Sequence, residues 1–310
     1  MRCGSSGHYA ALLDFEGKER ETMKEFRNKV AVITGGASGI GRGMAGRCAQ
    51  EGMRIVLADI EEKALTQAER ELKAAGATVL AVVTDVSKPS DVEALAQRTL
   101  NEFGAVHLLC NNAGVSVRST LWESTVNDWQ WVMGVNLWGV IHGVRSFVPI
   151  MLGQTAESHI VNTASLAGLV SFPGVGIYKV TKSGVIALSE TLYHELKNRG
   201  ANVNVSVLCP GFVKSRFSDS ERNRPTELLN DHKTRELSPE AETRRQAWRQ
   251  GVQDGMMPEQ VADCVIKAIR EEKFYIFTEA SEAKAQVKVR MEDILQERNP
   301  TDVFAGTGLS

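Results

Sequence analysis

The sequence predicts a doubly wound parallel α/β sheet of seven strands in a single domain, and three observations carry that prediction. Short runs rich in β-branched residues alternate with longer segments of helical period from residue 29 onward. A glycine-rich turn follows the first run immediately, and the second run ends on an acid, Asp59. Such alternation is the signature of β-α-β units feeding a parallel sheet, and such sheets bind ligands at the carboxyl ends of their strands, beside the point where strand order reverses.

The strands fall at 30–34, 54–59, 79–86, 107–113, 159–165, 204–210 and 274–277, each bounded by Gly, Asp, Asn or Pro, and their near-continuous apolar character predicts burial on both faces. Between them, helical segments fall at about 41–51, 61–75, 89–103, 124–153, 177–199 and 258–271, the last opening on Pro258 at a plausible first helical position. Residues 1–27 form an N-terminal extension in which Met23 opens a typical domain start, residues 28–280 the main domain with the sheet, and residues 281–310 a helical tail. Residues 212–257, rich in charge and carrying Pro225 and Pro239, break the rhythm as a helical excursion over the sheet; the alternative is a solvated surface insert. In the tail, Ala283, Val287, Met291, Ile294 and Leu295 recur at helical spacing and predict a stripe packed against the domain or a second subunit.

Composition narrows the function classes. With 36 basic and 38 acidic side chains the net charge is −2, and no segment concentrates the basic charge that nucleic acid requires. The apolar runs are shorter than a spanning helix needs, so no membrane partner is expected. The first residues lack the pattern of a secretory signal. The five cysteines (Cys3, Cys48, Cys110, Cys209, Cys264) are odd in number and scattered, which suits a reducing cytoplasm and argues against a disulfide framework. The six histidines form no ligand-spaced cluster, so no metal site is assigned.

The turn Thr34-Gly35-Gly36-Ala37-Ser38-Gly39-Ile40-Gly41 lies between the first strand and the first helix. Glycines there let backbone N–H groups approach a pyrophosphate, and the helix N-terminus favours the anion. In the context of a β-α-β unit ending at Asp59, the turn is a dinucleotide fingerprint. A carboxylate at Asp59 accepts bonds from the adenosine ribose hydroxyls and repels a 2′-phosphate, which favours NAD over NADP.

Tyr178 and Lys182 stand at i and i+4, on one face of a helix. Ser165 ends the fifth strand, Asn136 lies within the 124–153 helix, and Asn111-Asn112-Ala113-Gly114 follow the fourth strand. Together with the glycine turn, these motifs make residues 28–278 resemble the short-chain dehydrogenase/reductase family in its NAD-preferring form, a Rossmann-type fold. The resemblance implies Tyr178 as acid/base, Lys182 as the cation that stabilises its phenolate and binds the nicotinamide ribose, Ser165 as holder of the substrate oxygen, and Asn136 as anchor of a water chain from Lys182. It also implies cofactor contacts from Gly35, Ser38, Gly39, Ile40, Gly41, Asp59, Asp85, Val86, Asn112, Ala113, Gly114, Pro210, Gly211, Val213 and Ser215, with Ser215 where the family usually has threonine. A homodimer or homotetramer is expected, with helices 124–153 and 177–199 able to pair across a two-fold axis, while the polar tail after Phe277 departs from the glycine-rich ending that often supports a family tetramer.

A small-molecule substrate is expected, and the residues beside the catalytic set (Leu166, Leu169, Val170, Phe172, Phe212, Phe217, Trp248, Met256, Met257) are mostly apolar, which suits a hydrophobic or aryl secondary alcohol and its ketone. Arg216, Arg222 and Arg224 equally allow an acidic substrate or a solvated face. The excursion and tail resemble those of bacterial family members that oxidise lignin-derived benzylic alcohols. Other functions compatible with the scaffold are an NAD-sensing regulator without chemistry and a double-bond reductase or dehydratase.

Overall fold

The computed structural model describes residues 23–230 and 239–307. Seven parallel strands, β1 (Val30–Thr34), β2 (Arg54–Asp59), β3 (Val79–Val83), β4 (Leu108–Asn111), β5 (Ser158–Thr163), β6 (Val203–Cys209) and β7 (Tyr275–Phe277), form one sheet in the order β3-β2-β1-β4-β5-β6-β7. The chain moves outward from β1 to β3 and then returns to place β4 on the other side of β1, so the crevice at this reversal opens just beyond Thr34 and Asn111.

Alternation along β1 shows why its sequence is apolar throughout. Ala31 and Ile33 pack with Met44, Cys48, Val261 and Val265 on one face. Val30 and Val32 pack with Leu95, Phe147, Met151 and Leu192 on the other. The first layer comes from α1 (Gly39–Gln50) and α8 (Pro258–Arg270), the second from α3 (Pro89–Phe103), α5 (Gly139–Leu152) and α6 (Gly176–Asn198), while α2 (Glu62–Ala74) crosses from β2 to β3. Each large side chain so buried contributes about 1.5–3 kcal/mol. Local signals set the helix ends: α3 begins on Pro89 and stops at Gly104, whose φ of 74° few other residues adopt, and α4 (Val126–Met133) opens on a Thr125/Asp128 capping box.

Several expectations need correction. The 124–153 helix is two α-helices joined by a π-helical turn, Gly134–Trp138, a one-residue surplus that re-phases the helix at Asn136. This apolar run (Val126–Leu152, mean hydropathy 1.3) is long enough to cross a membrane by length and composition, yet it buries Trp131, Phe147 and Met151 in the protein core. The third strand ends at Val83 rather than 86, because the backbone turns where Asp85 accepts from the Ser87 amide and hydroxyl. The packed domain begins before residue 28, since Met23 and Phe26 are fully buried and Arg270 lies over the Phe26 ring.

The excursion contains two short 3-10 segments (Phe217–Asn223, Thr226–Leu228) and α7 (Pro239–Asp254). The tail forms α9 (Ala280–Leu295), but of the predicted stripe only Ala283 is buried; Met291, Ile294 and Leu295 are exposed, the last by 82%. Its second buried residue is polar. Asp293 accepts from the Thr301 amide at 2.8 Å and pairs with Arg298 at 3.1 Å, which turns the chain back after the helix. The returning segment joins Val303 N–H to the Ser171 carbonyl at 3.2 Å and sets Phe304 edge-on against Phe172 at 4.9 Å.

Candidate active site

One cavity of about 460 Å³ opens along the carboxyl ends of the strands, from Asp59 and Asp85 past the glycine turn to Tyr178 and then under the excursion and the tail. Its nucleotide end is built from backbone. Gly35 and Gly39 have φ of 63° and 52°. A Cβ on Gly35 would lie 2.9 Å from the Ala113 Cα, and one on Gly41 only 2.1 Å from the Gly35 carbonyl oxygen. Ser38 precedes α1 in extended conformation and its side chain does not cap the helix, so the first amides of α1 are not taken up by it. Open amides beside bare backbone fit a pyrophosphate.

Asp59 is buried at the end of β2, where one carboxylate oxygen accepts from the Ala37 amide and the other from the Glu61 amide, each at 3.0 Å. Burial pushes its carboxyl above the usual range, against these bonds. The acid therefore also braces the glycine turn. Thr34 does the same from β1: its hydroxyl donates to the Cys110 carbonyl and accepts from the amides of Asn112 and Ala113.

At the other end, Ser165 stands in extended conformation just past β5, its hydroxyl accepting from the Ala167 amide at 3.1 Å and close enough to Tyr178 to lower its phenol pKa. Lys182 lies one turn after Tyr178 on α6; its Nζ donates to the Thr163 carbonyl at 2.7 Å and sits 5.6 Å from the centre of the Tyr178 ring. Burial pushes the Tyr178 phenol up to about 12, against the lowering effect of Ser165, and burial brings the Lys182 ammonium down to about 8. Desolvation thus outweighs the acidifying effect expected of the lysine. Asn136 is 0% exposed. Its side-chain oxygen accepts from Val115 N–H at 2.8 Å and its amide donates to the Val115 carbonyl at 2.9 Å and toward the Thr181 hydroxyl at 3.3 Å. A Cβ placed on Gly114 would meet both the Asn136 oxygen at 3.6 Å and Lys182 Nζ at 3.7 Å, so the two side chains converge on that glycine.

A sequence model of the family described as short chain dehydrogenase matches residues 29–226. The chain belongs to the short-chain dehydrogenase/reductase family. A solved member from Burkholderia phymatum, in complex with NAD, superposes on this chain with a TM-score of 0.87 at 49% identity, covering 90% of this chain and 99% of that one. A dehydrogenase/reductase of CLA biosynthesis from Lactiplantibacillus plantarum is 34% identical over 83% of this chain and 90% of its own length. A C alpha-dehydrogenase from Sphingobium sp. is likewise 34% identical, over 82% of this chain and 81% of its own.

In this family member the cavity gathers the four expected cofactor residues Gly35, Ser38, Gly39 and Ile40 of the turn with Asp59, Asp85, Val86, Asn112, Ala113, Gly114, Pro210, Gly211, Val213 and Ser215. Gly41 and Asn136 stand behind the wall, the first as a packing glycine and the second as a clamp on Val115. Of the apolar substrate candidates, Leu166, Val170, Phe172, Phe212, Phe217 and Trp248 line the cavity, whereas Leu169 packs beside Val185 and Ile186, Met256 joins the core and Met257 faces solvent. The three arginines singled out in the excursion are engaged by acids: Arg222 donates to Glu61 at 2.6 Å, Arg216 lies within 3.8 Å of the same carboxylate, and Arg224 pairs with Asp128. Sequence reasoning missed Thr34, Arg118 and the contribution of Glu282, Gln286 and Phe304 from α9 and the returning tail. The Thr34 hub had a signal in its position at the head of the turn; the tail contacts had none, since nothing local specifies where a terminal segment docks.

Proposed function

We propose that this chain is an NAD-dependent dehydrogenase that interconverts a secondary alcohol with an apolar or aryl body and its ketone. The observation that carries this reading is the convergence of Ser165, Tyr178 and Lys182 on the cavity that also holds the glycine turn and Asp59. NAD, when bound, supplies the hydride acceptor. Ser165 and the Tyr178 hydroxyl would hold the substrate oxygen between them, and Tyr178 would take the carbinol proton in oxidation and return it in reduction. With the phenol near 12, reduction finds its donor already protonated; oxidation needs the phenolate stabilised, which the Lys182 ammonium beside the ring would provide. Asn136 would hold the Val115 loop and Lys182 region in place. The 2′-hydroxyl side of the ribose would face Asp59, where a phosphate is repelled.

Among relatives, the names 1-deoxy-11-beta-hydroxypentalenate dehydrogenase and C alpha-dehydrogenase support carbinol chemistry. The apolar lining supports a hydrophobic body. A panel of aryl and alicyclic secondary alcohols and their ketones, offered with NAD or NADP and followed at the reduced-nicotinamide absorbance band, tests the reading. NAD-linked turnover of at least one alcohol–ketone pair is expected. Turnover confined to conjugated double bonds, or no turnover across the panel, overturns it.

A further inference from the structure

Three arginines line the cavity, and one differs from the others. Arg216 and Arg222 are held by Glu61. Arg118, on the loop after Gly114, has no carboxylate within ion-pair distance among the described residues. Its guanidinium lies 5.3 Å over the Trp248 ring and within 3.6 Å of where a Cβ on Gly174 would stand. Trp248 in turn lies 6.0 Å from the Phe217 ring, and Phe217 5.6 Å from the Tyr178 ring. An aromatic wall therefore runs from the acid/base candidate to a cation.

We propose that Arg118 is the docking point for a carboxylate carried by the substrate, on the far side of its apolar or aryl body from the carbinol. The inference rests on the dehydrogenase reading above and narrows it to hydroxy acids and keto acids of aromatic character. Holding a guanidinium half-buried without a counter-ion is unfavourable, and an incoming carboxylate is the group that compensates it, in the bidentate geometry the planar fork prefers. Burial, with the neighbouring Arg244 charge, lowers the Arg118 pKa to about 10, and the group remains charged at neutral pH. The stacked Trp248 face fixes the guanidinium plane. Glu279, just before α9, and Glu282 on it line the cavity, and their repulsion disfavours a carboxylate at that side, which leaves Arg118 as its place.

The test uses the full-length protein with NADH bound, titrated by calorimetry with 4-acetylbenzoate and with 3-(4-acetylphenyl)propionate, each against its methyl ester; kcat/KM for the same ketones is measured in parallel. At least one acid is expected to bind about tenfold or more tightly than its ester. Arg118→Met removes that preference, and Arg118→Lys, which keeps charge without the fork, retains part of it. NADH binding reports whether each variant is folded; where Arg118→Met is not, a severalfold loss of acid preference in Arg118→Lys carries the result. Acids that bind no better than their esters in the parent, or a ratio unmoved by both substitutions, overturn the inference. Turnover of the esters without any preference for acid would overturn this assignment and leave the dehydrogenase reading intact, whereas tight, Arg118-dependent binding of the acid with no turnover of any ketone would do the reverse.

Discussion

Lys182 holds its ammonium 5.6 Å from the centre of the Tyr178 ring while spending a hydrogen bond on the Thr163 carbonyl at the end of β5. The lysine is thereby tied to the sheet and the tyrosine to the lysine, one helical turn apart on α6. Replacing Tyr178 by Phe removes the exchangeable proton and leaves this packing, so kcat should fall by about two orders of magnitude or more with NAD affinity nearly unchanged. Steady-state rates together with NADH titration check both halves of the expectation.

Asp59 has two duties that a substitution separates. Asp59→Ala relieves the repulsion of a 2′-phosphate and also removes acceptors for the Ala37 and Glu61 amides. Affinity for NAD should fall and the preference for NAD over NADP should narrow by about tenfold or more. Comparing kcat/KM for the two cofactors in parent and variant measures the change; an unchanged ratio would place the ribose elsewhere.

Asn136→Ala should cost stability as well as rate. It strips the partners from the N–H and carbonyl of Val115, both within a buried clamp. Leaving two such groups unpaired costs about 2–4 kcal/mol, visible as a lowered urea midpoint with an unchanged slope.

His159 predicts an acid limb in the stability curve. Its ring is buried against Ser206, whose own hydroxyl donates to the Lys273 carbonyl, so the His159 Nε2 must supply the hydrogen in the 2.8 Å contact between them. Burial lowers its pKa from 6.5 to about 3. Between these values the unfolded chain binds a proton that the folded chain refuses, so stability falls as pH drops through that window. Urea midpoints between pH 7 and pH 4 should decline, and His159→Gln should flatten the decline, with a remainder from His107, whose pKa burial also lowers.

The sequence made the sheet and the polar residues of its crevice legible because those features are local. Alternation of β-branched runs with helical segments identified all seven strands, and the glycine turn, Asp59, Ser165, Tyr178 and Lys182 each sit where a strand or helix end places them. What escaped was set by tertiary packing. The π-helical turn at Asn136 leaves no mark that a helical period would show, and the apolar spacing of α9 suggested a buried stripe where Ala283 and Asp293 are the buried residues instead. Arg118 carries no local signal in the sequence, and only the fold sets it beside Trp248.

The family match ends at residue 226, whereas Glu279, Glu282, Gln286 and Phe304 complete the cavity from beyond it. The chain thus divides its labour along its length: the stretch that the family model matches holds the glycine turn and the Tyr178 cluster, and residues beyond it shape part of the vessel around them. Swapping residues 279–307 between relatives would then be a way to transplant selectivity while leaving the chemistry in place.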